Sequence, residues 1–420
     1  MADSKPAVLQ AAGPVLAAEI ASRARPNVKL IGLLALGHLV IDVNQGALSA
    51  LLPFLKTTHG LTYAQAAMII LVSTMTSSII QPLFGYLSDQ TGRRWLLPSS
   101  ITLAGVGFAL TGVAPSYPVI LVLVVLGGVG VAAWHPEGYK TATGVAGERK
   151  ATALGWFSLG GNVGFALGPP VMTALVTSLG VAGTLGLLAP TVVVAGLFVT
   201  VLPLIARASA VPRPAAATRT HLTAMGGQGS TDGVNMPRAM AMLILVVTLR
   251  SWSTLGFTTF VPFFYIDVLK QDPRLVGPLL FVFLGGGALG SVFGGPIADR
   301  LGARAFVRWV LLAALPFGVL FMLTDGIVRF VVLGLFGAIL TASFSVSVVL
   351  AQAYLPRNAG MASGLIVGFA VGTGGLAVTL LGYAADHYGV GTALWISALM
   401  PLAAFFAARR LPAPRGHAAP

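Results

Sequence analysis

The chain has 420 residues, 56% of them hydrophobic and only 9% charged, with a formal net charge of +13. Soluble domains carry about 25% charged residues. A chain this apolar cannot cover a water-facing surface, so its expected solvent is lipid; with no cysteine, disulfides and thiolate metal sites are excluded.

Residues 1–29 hold Pro6, Pro14 and Pro26 and no compact apolar run. They read as a disordered cytosolic arm rather than a cleaved signal peptide. A membrane span needs about 20 apolar residues, and twelve segments qualify. The first six are 30–52, 64–87, 95–114, 117–136, 151–177 and 182–205. Residues 206–237, rich in Pro, Gly, Ala, Thr and Arg, have linker composition. The second six are 238–266, 276–298, 305–324, 328–351, 358–384 and 390–408, followed by a tail, 409–420. The expected fold is an all-α membrane protein of twelve transmembrane helices in two six-helix pseudo-symmetric halves, 30–205 and 238–408.

In span 1, Asp42 lies roughly 18 Å along the helix. That is near the bilayer middle, where a carboxylate is costly and marks function by default. His38 sits one turn earlier on the same face. Such a pair can share a proton, or it can be a satisfied structural contact. Asn44 and Gln45 add polar groups to a candidate substrate-binding face.

Span 2 leads into Gly85-Tyr86-Leu87-Ser88-Asp89-Gln90-Thr91-Gly92-Arg93-Arg94. A degenerate copy, Gly295 to Arg304, follows half a chain later, with Asp299, Gly302 and Arg304 in register with Asp89, Gly92 and Arg94. Repetition of a charged loop at half-length marks an internal duplication, a construction that transporters use. Gly85 is expected to allow close helix approach, and Asp89 to pair with an arginine or a helix N-terminus. Gly92 permits a tight turn, and Arg93 and Arg94 hold the loop in the cytosol. The two loops are either topology anchors or a charge latch that gates one conformation.

Span 4 closes on Trp134-His135-Pro136-Glu137. Pro136 is expected to break the helix there. Glu137 then either pairs in water with Arg149 or Lys150, or joins His135 in proton transfer or gating. Neither His135/Glu137 nor His38/Asp42 has an evident third ligand, so no metal site is expected. Span 5 carries Gly160, Gly161, Gly164 and Gly168 before Pro169-Pro170, a spacing that lets helices touch. Asn162 is its candidate cavity residue.

Arg250 lies in span 7, the repeat mate of span 1, at a depth similar to that of Asp42. Its planar fork suits an anionic substrate, or it is the counter-ion of Asp42. Trp252, Phe257, Phe260, Phe263, Phe264 and Tyr265 in the same span are expected to be packing or interface-belt residues rather than ligand contacts. Gly285-Gly286-Gly287 lies inside span 8, so it is no phosphate cradle, and no G-x-x-x-x-G-K-[ST] loop occurs. No nucleophile elbow is present and no cofactor is expected, so energy has to come from an ion or solute gradient. Span 11 ends on Gly382-Tyr383-Ala384-Ala385-Asp386-His387-Tyr388-Gly389, an inverted echo of the Gly85 loop.

If the termini and even-numbered loops share one face, that face holds 20 of the 25 Lys and Arg. The other holds Lys56, Lys270, Arg274 and Arg329, and Arg250 is intramembrane. This places both termini in the cytoplasm and explains the positive charge without nucleic acid.

The Gly85–Arg94 loop and its partial copy resemble the signature loop between spans 2 and 3 of the major facilitator superfamily. That resemblance implies alternating access around a cavity lined by spans 1 and 7. Gly37-His38-Leu39-Val40-Ile41-Asp42, Gln81-Pro82, Trp134-His135-Pro136-Glu137, and Gly160-Gly161-Asn162-Val163-Gly164 with Gly168-Pro169 narrow it further. Together they resemble the fosmidomycin resistance family of drug exporters, densely over residues 37–170. This implies an antiporter-type span 5, drug efflux and antibiotic resistance.

The expected function is proton-coupled efflux of a small anionic or amphiphilic compound by a monomeric, non-enzymatic transporter of the bacterial inner membrane. The alternative is a proton-coupled importer of an organic anion or metal chelate.

Overall fold

The computed structural model describes residues 26–91, 94–147, 149–209, 234–370 and 372–414. The terminal arm before residue 26, Gly92, Arg93 and most of the 206–237 linker lie outside these residues, as does the Asp89 side chain.

Among the described residues, twelve helices are long and apolar enough to cross a membrane. Spans 1 to 6 are Val28–His59, Tyr63–Leu87, Leu96–Val113, Tyr117–Val145, Thr152–Leu179 and Val181–Arg207. Spans 7 to 12 are Pro237–Val268, Pro273–Leu301, Ala303–Leu323, Gly326–Tyr354, Pro356–Tyr388 and Val390–Arg409. Side-chain capping marks the starts of spans 1 and 2, as it does that of span 8 through Asp272. The Asn27 side chain accepts from the Leu30 N–H at 3.2 Å. Thr62 and Gln65 form a reciprocal capping box. Glycines at positive φ set the ends: Gly60 (φ 61°) closes span 1 and Gly302 (φ 81°) closes span 8. Gly302 thus shows in the second copy the turn expected of Gly92 in the first.

Two spans run longer than their apolar patterns suggested. Span 1 continues through Pro53 to His59. Span 4 does not break at Pro136 but continues to Val145. Only one backbone N–H is missing at a proline, and packed neighbouring helices hold the segment straight enough to resume.

The two halves repeat in backbone detail. The Asn27 N–H bonds the Val145 carbonyl at 2.9 Å, and the Met236 N–H bonds the Tyr354 carbonyl at 2.7 Å. Both ends of this bond shift by 209 residues, 27 to 236 and 145 to 354. It ties the start of the first helix of each half to the end of the fourth. The Tyr354 hydroxyl also donates to the Pro412 carbonyl at 2.7 Å, so the start of span 7 and the end of span 12 lie on one face, here called the terminal side.

Glycine faces set the packing. A Cβ on Gly160 or Gly164 of span 5 would collide with the carbonyl oxygens of Ala35 or Leu39 in span 1. Gly286, Gly290 and Gly294 of span 8 lie likewise on the carbonyls of Gly334, Ala338 and Ala342 in span 10. Close backbone approach of this kind drives helix association where lipid offers no hydrophobic penalty. Gly164→Val is therefore expected to destabilise by about 1–3 kcal/mol or more. The check is a thermal melt in detergent against Gly155→Ala, where an added Cβ meets nothing within 4 Å; equal melting temperatures would remove the argument. Gly364 and Gly368 of span 11 also have no neighbour within 4 Å and are not packing glycines. Phe257, Phe260 and Phe263 are fully buried, as expected of packing residues.

The halves meet along spans 2 and 11 and along spans 5 and 8. On the side opposite the termini they are locked together. Asp386, ending span 11, accepts the Tyr63 and Ala64 N–H groups at 2.7 and 3.0 Å, capping the start of span 2. The Tyr63 hydroxyl donates to Asp267 of span 7 at 2.8 Å. Lys56 lies 3.4 Å from the same carboxylate oxygen and 4.5 Å from the Tyr63 ring centroid. On the terminal half, an open groove of about 450 Å³ runs between spans 5 and 8, lined by Gly155, Trp156, Ser158, Asn162, Ser291 and Val292, among others.

Candidate functional site

Span 1 presents Gly37, His38 and Asp42 to spans 4 and 5. Gly37 lies beneath the Trp134 ring, where a Cβ would clash. Gly138 leaves room for Phe157, whose ring a Cβ would approach to 2.8 Å. Phe157 in turn stacks on His38, with centroids 4.3 Å apart and planes 28° apart. Gly161 faces the polar pair: its Cβ would fall 2.5 Å from His38 Nε2 and 2.7 Å from Asp42 Oδ2. These glycines make the space in which the polar side chains sit.

His38 Nε2 is 3.4 Å from Asp42 Oδ2. The i, i+4 pair expected from the sequence is therefore in contact. The fold adds a third member that sequence spacing had grouped elsewhere. His135 Nε2 stands 3.3 Å from His38 Nε2 and 4.0 Å from Asp42 Oδ1. Each imidazole is tethered by its other nitrogen: His38 Nδ1 to the Phe157 carbonyl at 2.9 Å, and His135 Nδ1 to the Val131 carbonyl at 2.8 Å. His38 and Asp42 are buried, and Asp42 Oδ1 has no hydrogen-bond partner. The Tyr139 ring packs edge-on to His38, and its hydroxyl meets Ser158 Oγ at 3.2 Å. Tyr139 and Phe157 complete the surroundings of the cluster; neither was singled out in the sequence, because nothing local ties an aromatic residue to a histidine two helices away.

Of the two positions open to Glu137, the structure does not show the water-exposed one. It is 2% exposed and stands apart from the His38–Asp42–His135 group. Because span 4 continues past Pro136, Glu137 stays inside the bundle rather than in a loop.

In the other half, Arg250 is 5% exposed. Among the described residues its guanidinium makes one hydrogen bond, a long one of 3.4 Å to the neighbouring Ser251 hydroxyl. The guanidinium carbon lies 5.3 Å from the Phe344 ring centroid, and Nε has no partner. No ion pair of Arg250 occurs among the described residues, so the expected alternative of a counter-ion to Asp42 is not formed in this conformation.

The remaining candidates separate. Asn162 is exposed and lines the groove between spans 5 and 8. Asn44 is buried and bonds back to its own helix through Val40, with its Oδ1 unpartnered, while Gln45 is half-buried. Gly85 is not a contact glycine, since its Cβ would meet Pro136 only at 3.8 Å. Arg94 is half-buried, Asp299 is exposed, and Arg304 reaches the Leu411 carbonyl at 3.4 Å.

Asp42 with two imidazoles on spans 1 and 4 of one half, and a buried cation without an ion pair among the described residues on span 7 of the other, are polar groups held inside a two-half membrane bundle. Residues 34–378 match the Major Facilitator Superfamily. The chain belongs to the major facilitator superfamily. As a member it is a multi-pass secondary transporter of small molecules, not an enzyme. The chain is 30% identical to the fosmidomycin resistance protein of Escherichia coli (strain K12), over 92% of this chain and 93% of that one. It is also 30% identical to YfnC, an uncharacterized MFS-type transporter of Bacillus subtilis (strain 168), over 87% and 88% respectively. The likeness therefore extends well beyond residues 37–170. The nucleoside transporter NupG shares the fold, with a TM-score of 0.72 at 15% identity, over 92% of this chain and 99% of that one.

Proposed function

We propose that this major facilitator protein exports a small anionic or amphiphilic compound, drug-like or phosphonate-like, across the bacterial inner membrane in exchange for protons. The reading is carried by one observation: Arg250 is buried with no carboxylate partner among the described residues, while span 1, the repeat mate of its helix, holds His38 and Asp42 against His135 of span 4. A buried unpaired guanidinium is costly unless an anion arrives to pair with it. The relative named for fosmidomycin resistance supports export of a drug.

In this mechanism both termini are cytoplasmic, in keeping with the 20 to 4 division of basic residues. The conformation described here then faces inward, closed outside by Asp386, Tyr63, Asp267 and Lys56. Substrate enters past Asn162 and binds Arg250, with Gln45 and Asn44 adjoining. Asp42, with His38 and His135, carries the proton that returns the empty carrier, and Glu137 takes part in gating. The Gly85–Arg94 loop, through Asp89, Gly92, Arg93 and Arg94, and its copy with Asp299 and Arg304, latch the cytoplasmic gate when the carrier faces outward. The protein works as a monomer, with one complete pathway between its two halves.

Two measurements test this reading. Purified protein in liposomes with an imposed pH gradient should move a phosphonate or organic anion against its own gradient, chemically unchanged. No flux of any tested anion under either gradient polarity would end the proposal, and flux only in the inward direction would establish an importer instead. The outer lock is tested with Asp386→Asn, which keeps the shape but removes the charge that caps span 2. Loss of about 1 kcal/mol of capping should raise the outward-open population roughly fivefold. Because the chain has no native cysteine, a single cysteine placed on the far side reports this by its labelling rate. An unchanged rate would dismiss the lock.

A further inference from the structure

Both imidazoles of the cluster are oriented by carbonyl oxygens, His38 through Nδ1 to Phe157 and His135 through Nδ1 to Val131. A carbonyl only accepts, so both Nδ1 atoms carry the hydrogen, and each neutral ring presents a bare Nε2 lone pair. Those two lone pairs and the Asp42 carboxylate face one another with no donor between them. Their separations are 3.3 Å for His38 Nε2 to His135 Nε2, 3.4 Å for His38 Nε2 to Asp42 Oδ2, and 4.0 Å for His135 Nε2 to Asp42 Oδ1.

These lengths have a chemical meaning. Two ligand atoms at about 2.05 Å from a tetrahedral zinc ion lie about 3.3–3.4 Å apart. Two of the three observed edges have that length, and the third closes by a small turn of the carboxylate. A hydrogen bond between the two rings, in contrast, needs a hydrogen on one Nε2, which neutral rings tethered through Nδ1–H do not have. Donation of the distal ring nitrogen to a backbone carbonyl is also the usual orientation of metal-binding histidines. Asp42 adds a buried oxygen with no partner, Oδ1, aimed into the same space.

We propose that His38, Asp42 and His135 form a binding site for a divalent transition-metal ion, best suited to Zn²⁺, with its fourth position open to water or an anion. Two imidazoles and one carboxylate suit zinc, cobalt and nickel over magnesium or calcium, which prefer all-oxygen shells. Sequence spacing offers no third ligand for a definite reason: His135 comes from span 4, and only the packing of spans 1, 4 and 5 brings it to the pair. Zinc on these atoms leaves no lone pair for a coupling proton, so it should inhibit transport. That consequence rests on the transport reading; the binding itself does not.

The test uses full-length tag-free protein in detergent, titrated with Zn²⁺ by calorimetry and with Co²⁺ by visible absorption, where tetrahedral cobalt gives an intense band. One equivalent should bind, with the cobalt band present. His38→Gln and His135→Gln should each weaken binding at least about tenfold and abolish the band, while the double variant His59→Gln/His387→Gln, outside the cluster, should retain both. Size-exclusion profiles report whether each variant is folded, and Gly161→Ala, which crowds the site while keeping every ligand, gives a second way to weaken the binding. No saturable binding at one equivalent overturns the proposal, as does binding indifferent to His38 and His135. Failure of zinc binding with intact proton-driven flux would reject the metal site alone, whereas zinc binding without proton-driven flux would reject the coupling reading alone.

Discussion

Asp42→Asn is expected to reduce pH-gradient-driven transport to the leak rate while leaving substrate exchange at zero gradient. The substitution is nearly isosteric, so it preserves the packing against Gly161, where even a methyl group would stand 2.7 Å from Asp42 Oδ2. An asparagine amide can donate to the Nε2 lone pairs of His38 and His135, so it imitates the proton-loaded cluster. It cannot release that proton. A carrier held in the loaded form still changes conformation with substrate bound, and counterflow survives, but no proton cycle drives it. Liposome flux with and without an imposed gradient, compared with counterflow of labelled substrate, separates the two activities. Retention of gradient-driven accumulation by Asp42→Asn would dismiss the proton role of the cluster.

The second large effect is expected at Arg250. Truncating one side of a buried charge pair costs about 2–5 kcal/mol, so Arg250→Met should weaken affinity for an anionic substrate roughly 30-fold or more. The same change should stabilise the ligand-free protein, because Arg250 is 5% exposed, its Nε is unpartnered and no ion pair among the described residues offsets its burial. Replacing a buried charge with an apolar side chain of similar volume is often neutral or stabilising. Arg250→Lys should fall between, since it keeps the charge but loses the planar fork. Thermal melts without ligand, paired with substrate titrations, give the signature: affinity falls as the melting temperature rises. A structural arginine would show the reverse order, with Arg250→Met melting lower and binding unchanged, and that result would remove Arg250 from the substrate site.

Much of the architecture was legible in the sequence for a simple reason. Lipid admits few charges and requires every backbone polar group to bond within its own segment, so helices announce themselves as long apolar runs. The duplicated loops at Gly85 and Gly295 reported the two halves, and the 209-residue shift of the Asn27–Val145 and Met236–Tyr354 bonds is the same duplication at the level of backbone contacts. Prolines were the weak point of the reading. Pro136 looked like a helix end because a proline removes one hydrogen bond, yet the bundle carried span 4 on to Val145 and took Glu137 out of solvent.

The candidate site was legible only as far as one helix reaches. His38 and Asp42 share a face by helical periodicity, so their contact at 3.4 Å followed from spacing. The burial of a charge at Arg250 followed from its apolar neighbours. Sequence by itself thus determined the membrane class, the twelve spans, the duplication and the charged residues inside the bilayer. Tertiary structure alone decided that His135 rather than Glu137 joins the pair, that Arg250 has no carboxylate partner here, and that Asp386 caps span 2. The reason is physical. Composition and helical period act along a chain through local geometry, whereas these contacts join residues 97 to 323 positions apart. The geometry of the His38–Asp42–His135 group depends on how closely the Gly160, Gly161 and Gly164 face lets spans 1 and 5 approach.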